Sequence, residues 1–410
     1  MQTRARTFEE RGPFERLALL LEGIEPGADP VDMTVGGPKH PMPPFVGEAI
    51  AEALSSFRPY PAIDGTAAFR DAVHAWLDRR YGLGGFLRER GAVLPLSGSR
   101  EGLFFAGIAA RDHLKKPDPA VVLFANPFYQ AYPAAAHAIG AEAVPLRAAG
   151  PDTVLPDLSS APPGALDRAV ALYVASPANP QGTVAAIEDW QALVALARRH
   201  DLMLFADECY SEIYRERAGP PPGVLAAAKA MGGGLDRVVA FNSLSKRSNL
   251  AGLRCGFAAG DPAFMDRFRR FRNQAGPQVP APIQAVAVRA LADEAHVAEN
   301  RRLYDAKFAA ADEILSDVFG PVVPEGGFFL WLDLSPVGGS DDVAFARELW
   351  AATGVRAVPG SYLALTGPDH NNPGDGFLRL ALVDDLATVR RALVRLRDFS
   401  AARIGAGPAD

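Results

Sequence analysis

Residues 238–258, V-V-A-F-N-S-L-S-K-R-S-N-L-A-G-L-R-C-G-F-A, place a hydroxyl at Ser243, an amine at Lys246 and a guanidinium at Arg254. Two apolar runs of β type, 238–241 and 254–258, flank them. A lone lysine is ordinarily a solvated surface group. Held between two strands, with a hydroxyl three residues before it and an arginine eight after, this one suits another task. Its amine can form an imine with a phosphorylated aldehyde while the hydroxyl and guanidinium hold the phosphate.

Pyridoxal 5′-phosphate is such an aldehyde, and the chain offers the other groups it requires. An aspartate beside the pyridine nitrogen keeps that nitrogen protonated, and Asp207 ends the apolar run 202–206. Asn179 in S-P-A-N-P-Q-G and Tyr210 in D-E-C-Y are donors for the phenolate oxygen. Tyr129 in N-P-F-Y-Q is an aromatic ring for the pyridine face. Ser99 and Arg100 open a helix in S-G-S-R-E-G, where free amides form an anion site beside Ser243 and Arg254. Lys246 would hold the imine and then carry a proton between Cα and C4′. Arg379 in F-L-R-L-A-L is the candidate fork for a substrate carboxylate. Each group alone has an ordinary explanation: a solvated strand end for Asp207, a turn for Asn179, a structural ion pair for Arg379. Their joint occurrence at strand ends argues for one site. No metal centre is read.

The elements that must position them follow from periodicity. From about residue 93 short apolar runs alternate with helical patterns, the mark of an α/β sheet. Strands are expected at 92–96, 120–125, 143–146, 169–175 and 202–206, with 147–168 as loop. The run 202–206 does not alternate, so both faces should be buried, as in a largely parallel sheet whose carboxyl edge binds ligands. One long helix is expected over 282–315, then β 327–334, α 341–353, β 355–358, β 377–383 and α 386–402. The domain reading is a 1–45 arm contributing to a small domain, a large 46–290 domain and a small α+β domain at 291–410. Prolines at 38, 41, 43 and 44 keep the arm extended, and the tail G-A-G-P-A-D should fray.

Bulk properties exclude several classes. The 410 residues carry a net charge of −6, so neither nucleic acid nor an anionic membrane surface is expected as a partner. Two cysteines cannot build a disulfide framework, which suits a reducing compartment. The charged start M-Q-T-R-A-R lacks an apolar leader segment, and no run of 18 apolar residues follows, so the expected location is the cytoplasm.

With these motifs in place, S-L-S-K-R-S-N-L-A-G-L-R, D-E-C-Y, S-P-A-N-P-Q-G, N-P-F-Y and F-L-R-L resemble the fold-type I, class I/II aminotransferases over residues 38–383. The resemblance implies pyridoxal 5′-phosphate as cofactor and a mainly parallel seven-stranded-type sheet between helices plus a smaller α+β domain. It implies a homodimer with shared active sites in which Tyr60 reaches the phosphate bound by the other subunit. It also implies that Gly36 touches substrate through its backbone. Details such as P-F-E-R-L, G-S-R-E-G-L-F, D-E-C-Y-S-E-I-Y and P-G-S-Y-L resemble the proteobacterial succinyldiaminopimelate transaminases. That likeness implies transfer of an amino group between N-succinyl-LL-2,6-diaminopimelate and 2-oxoglutarate. Gly37, where that group usually has Glu, and R-N-Q-A-G-P-Q-V-P depart from the pattern. Lys39, His40 and Arg247 are candidates for a distal carboxylate contact. Aspartate, N-acetylornithine or an aromatic amino acid as substrate stays open. So do a lyase of the same fold and, from a different class, a cofactor-binding regulator.

Overall fold

The computed structural model describes residues 11–150, 152–367 and 371–406. The start at 1–10 and the tail beyond 406 lie outside the described residues, and with them the expectations of a leaderless N-terminus and a frayed end. The strands in chain order are β1 (Val31–Asp32), β2 (Ala92–Leu96), β3 (Val121–Asn126), β4 (Glu142–Arg147), β5 (Ala169–Ala175) and β6 (Met203–Asp207). Then follow β7 (Val238–Ser243), β8 (Gly256–Gly260), β9 (Phe329–Asp333), β10 (Val355–Arg356), β11 (Val358–Pro359) and β12 (Phe377–Ala381).

Seven strands form one sheet in the order β2-β8-β7-β6-β5-β3-β4. The neighbours β7-β6-β5-β3-β4 are parallel, and β8 runs antiparallel to both of its partners. The sheet is buried on both faces because successive side chains alternate between two apolar layers. In β6, Leu204 and Ala206 join Trp76, Trp190 and Leu172 on one side. Met203 and Phe205 join Phe124, Tyr173, Phe241 and Phe264 on the other.

This direction pattern decides where polar groups collect. The carboxyl ends of β2, β3, β5, β6 and β7 share one edge. Because β8 is reversed, its start, and Arg254 just before it, lies at that edge too. Helix ends are set by local chemistry: the Thr66 side chain accepts from Phe69 N, opening the helix Ala67–Tyr81, and Gly82 closes it at φ +64°.

A second, three-stranded antiparallel sheet, β11-β12-β9, packs with the helices Ala295–Phe319, Asp342–Thr353 and Leu386–Ala406. Val31 and Met33 enter the same apolar cluster, and β1 pairs with β10. Three expectations change here. The single strand at 355–358 is two strands in different sheets, with Ala357 buried between them. The long helix is broken after Ala292, where the Asp293 carboxylate accepts from Ala295 N and starts a second helix. The loop at 147–168 contains the short helix Ala165–Arg168. The helix Val224–Ala230, which no expectation covered, packs beneath β7.

Candidate active site

The shared edge opens into a cavity of about 800 Å³. One end of it is built for an anion. β2 leads through Gly98 into the helix Ser99–His113. Gly98 sits at φ +87°, ψ 154°, a region essentially reserved for glycine, and a Cβ there would collide with the Arg254 guanidinium. Arg254 donates to the carbonyls of Ala251 (3.0 Å) and Ser97 (3.3 Å). Arg100 Nε donates to Tyr129 Oη at 2.6 Å. Both guanidiniums therefore bond only neutral oxygens, beside the free amides of a helix start. The Glu101 carboxylate on the same helix is taken by Arg272 Nη2 (2.7 Å) and Ser97 N (2.8 Å).

In the middle lie an amine and a buried acid. Lys246 stands on the single helical turn Leu244–Arg247 after β7, not in open loop. Its Nζ donates to Gly36 O at 2.5 Å and lies 5.8 Å from the Tyr210 ring centroid. Burial pulls its pKa down to about 8. Asp207, the last residue of β6, accepts from Tyr132 Oη (2.8 Å, at Oδ2) and Cys209 N (3.2 Å, at Oδ1). Burial nevertheless raises its carboxyl above the usual range, outweighing these hydrogen bonds and the Lys246 charge. Burial likewise holds the Tyr210 phenol well above its usual range.

The far end is built for a carboxylate. Arg379 on β12 donates to Thr34 O (2.7 Å) and Asn179 Oδ1 (3.4 Å), and its Nε is buried without a partner. Its guanidinium stacks on Phe329, 4.4 Å from the centroid. Burial pulls it down to about 10, and no carboxylate answers it among the described residues.

Gly36, Ser99, Arg100, Tyr129, Asn179, Asp207, Tyr210, Lys246, Arg254 and Arg379 thus line one cavity. Two candidates do not. The Ser243 hydroxyl accepts from Ser245 N (3.1 Å) and donates to Ser245 Oγ (3.0 Å), capping the turn that carries Lys246. Tyr60 is 97% exposed and outside its own chain's cavity. The distal-carboxylate candidates are also engaged elsewhere. Lys39 pairs with Asp384, His40 with Asn300 and Lys307, and Arg247 with Glu294. Sequence reasoning missed Tyr132, Cys209 and Phe14 as cavity residues, and Gly98 as the residue that leaves room for Arg254. For Gly98 the glycine between two serines at a strand-to-helix turn was the available signal.

An anion end, a buried acid at a strand end, and a desolvated amine between them fit pyridoxal 5′-phosphate. An unanswered guanidinium beyond them fits an amino acid's carboxylate. The fold and this site together define a pyridoxal-phosphate-binding transferase of fold type I.

The sequence profile of aminotransferase class I and II matches residues 28–396. The chain is 32% identical over 367 residues to 4-dedimethylamino-4-oxo-anhydrotetracycline transaminase of Streptomyces rimosus, covering 89% of this chain and 92% of that one. It is 30% identical to LL-diaminopimelate aminotransferase of Dehalococcoides mccartyi, covering 91% and 92%. Among solved structures, an aminotransferase from Neisseria meningitidis superposes with a TM-score of 0.88 at 35% identity, covering 95% and 98%. A probable N-succinyldiaminopimelate aminotransferase from Thermus thermophilus superposes with 0.80 at 29%, covering 94% and 100%. The chain belongs to the class I and II aminotransferases, a pyridoxal-phosphate-dependent family.

Proposed function

We propose that the chain moves an amino group between N-succinyl-LL-2,6-diaminopimelate and 2-oxoglutarate. The observation that carries this reading is the charge pattern of the cavity wall. Its only carboxylates among the described residues are Glu101, neutralised by Arg272, and Asp207, at the cofactor position. None is left to receive a second ammonium group. Gln130, Thr153, Gln181 and Thr183 offer uncharged donors and acceptors instead. That wall suits an acylated distal nitrogen, whereas a free one would be desolvated without a counter-charge. Unacylated LL-diaminopimelate is the second reading, favoured by the relatives that carry that name.

When bound, pyridoxal 5′-phosphate supplies an electron sink for the negative charge that develops at the amino acid's Cα. Arg254, Arg100 and the amides from Ser99 onward would hold its phosphate. Asp207 would keep the proton on its pyridine nitrogen, Asn179 and Tyr210 would donate to its phenolate oxygen, and Tyr129 would stack on its ring. Arg379 would grip the substrate α-carboxylate with Gly36 beside it, and Lys246 Nζ would take up the proton that leaves the substrate Cα and give it back as a general acid. The desolvation that lowers Lys246 makes its neutral, basic form accessible near neutrality.

The reading extends to a homodimer in which Tyr60 serves the partner's site. Its exposure, with that of Leu54 and Phe57, supports this. It also extends to a cytoplasmic location, on two buried free cysteines and on described helices too short or too polar to cross a membrane. The division into a 1–45 arm, a 46–290 large domain and a 291–410 small domain belongs to the same proposal.

The test is a panel of half-reactions on the loaded enzyme, read from the cofactor's visible absorbance. N-succinyl-LL-diaminopimelate should react at least tenfold faster than LL-diaminopimelate, acetylornithine or aspartate. A faster reaction with any of these three overturns the narrow assignment.

A further inference from the structure

We propose that Tyr132 is a positioning residue for transamination: its phenol holds Asp207 as an anion, aligned to keep the bound pyridine nitrogen protonated. The inference rests on the reading of Asp207 given above. Tyr132 lies in the helix Ala131–Ala138, 75 residues from Asp207 in sequence, and donates to Asp207 Oδ2 at 2.8 Å. Both side chains are buried. The phenol has no freedom to turn away. Its ring stacks on Tyr173 (4.7 Å between centroids, 17° between planes) and meets Tyr129 edge-on at 5.8 Å. Tyr173 is itself anchored by its hydroxyl to Leu103 O at 2.8 Å.

The surroundings of Asp207 explain why this bond matters. Its sheet neighbours Ala175 and Phe241 are uncharged. The polar groups facing it are Tyr132 and Tyr129 after β3, Cys209 and Tyr210 after β6, and Lys246 after β7. Burial drives the carboxyl toward its neutral form, and the Cys209 thiol, the Tyr132 phenol and the Cys209 amide oppose it. A neutral acid beside a pyridine leaves the ring uncharged, whereas an anion keeps the proton on nitrogen. A hydrogen bond to the charged form tips that balance. Tyr132 is suited to the task because burial and the Asp207 charge hold its own proton firmly, so it stays a donor.

Tyr132→Phe keeps the ring stack and deletes only the donor. The readout is the pH titration of the loaded enzyme's visible absorbance, whose midpoint rises when the ring nitrogen loses its charge. Tyr132→Phe should raise that midpoint by about one pH unit and lower kcat about tenfold, with KM for the amino acid little changed. 3-Fluorotyrosine at position 132, a stronger donor, should move the midpoint down. Asp207→Asn is the control. If it shifts the midpoint and neither change at 132 does, the role of Tyr132 is wrong. If Asp207→Asn itself leaves the midpoint in place, the assignment of Asp207 falls first. Lost activity in Tyr132→Phe with an unmoved midpoint marks a merely structural residue and overturns the proposal.

Discussion

Arg379→Met should separate stability from function in opposite directions. Burial without a carboxylate partner pulls this guanidinium down to about 10, equivalent to about 3 kcal/mol of unfavourable desolvation in the free protein. Methionine fills much of the same volume on the Phe329 ring and carries no charge. Against the gain stands the loss of hydrogen bonds to Thr34 O and Asn179 Oδ1, each worth about 0.5–1.5 kcal/mol. The cofactor-free variant should therefore be about 0–2 kcal/mol more stable in urea titration. The sign holds across pH. A base whose folded pKa is depressed pays its penalty everywhere below that pKa, so the difference should be flat from about pH 6 to about pH 9. Function should move the other way. Two charge-assisted bonds to a carboxylate contribute about 3–6 kcal/mol, so amino-acid affinity in the half-reaction should fall about 10²–10⁴-fold. The cofactor's own absorbance should persist. A variant that binds amino acids within about threefold of the parent, or that loses about 2 kcal/mol or more of stability, would refute the argument.

Two other outcomes follow from the same geometry. With Lys246 held near pH 8 by burial, its free-base fraction climbs from about a tenth at pH 7 to about nine-tenths at pH 9. Uptake of pyridoxal 5′-phosphate by the cofactor-free protein should accelerate over that range and level off above it. Stopped-flow absorbance showing a flat rate would contradict this, and Lys246→Ala should develop no visible band at all. Gly98→Ala forces a Cβ onto the Arg254 guanidinium at a backbone angle that costs about 1–3 kcal/mol for any other residue. Equilibrium dialysis should show cofactor affinity reduced at least about tenfold, and retained affinity would mean the anion end lies elsewhere.

Much of this was readable before any coordinates because strand ends are local events. A short unbroken apolar run such as 202–206, set between helical patterns, reads as a strand buried on both faces, and the first charged residue after it then falls at the sheet's edge. Asp207 is that residue, and Asn179 and Tyr129 follow their strands by the same logic. Ten residues far apart in the chain, Gly36 among them, therefore line one cavity. The failures share a cause. Ser243 spends its hydroxyl on the turn beside it, a choice between two acceptable partners that composition does not rank. Ala357 divides one apolar stretch between two sheets because β10 meets β1 and β11 meets β12, partners that lie outside the stretch itself. Lys39, His40 and Arg247 resemble free cations in a string of letters, yet each is held by a partner on a remote element.

Tyr132 shows the division most sharply. By sequence alone it is one more aromatic in a helix packed on the sheet. The sequence by itself determined the kinds of groups present and which strand end each would reach, because apolar periodicity and chain direction are written locally. Only the tertiary structure decided which of them touch. The order β7-β6-β5-β3 and the rigid stack on Tyr173 aim the phenol at Asp207, and no pattern within either segment specifies that approach.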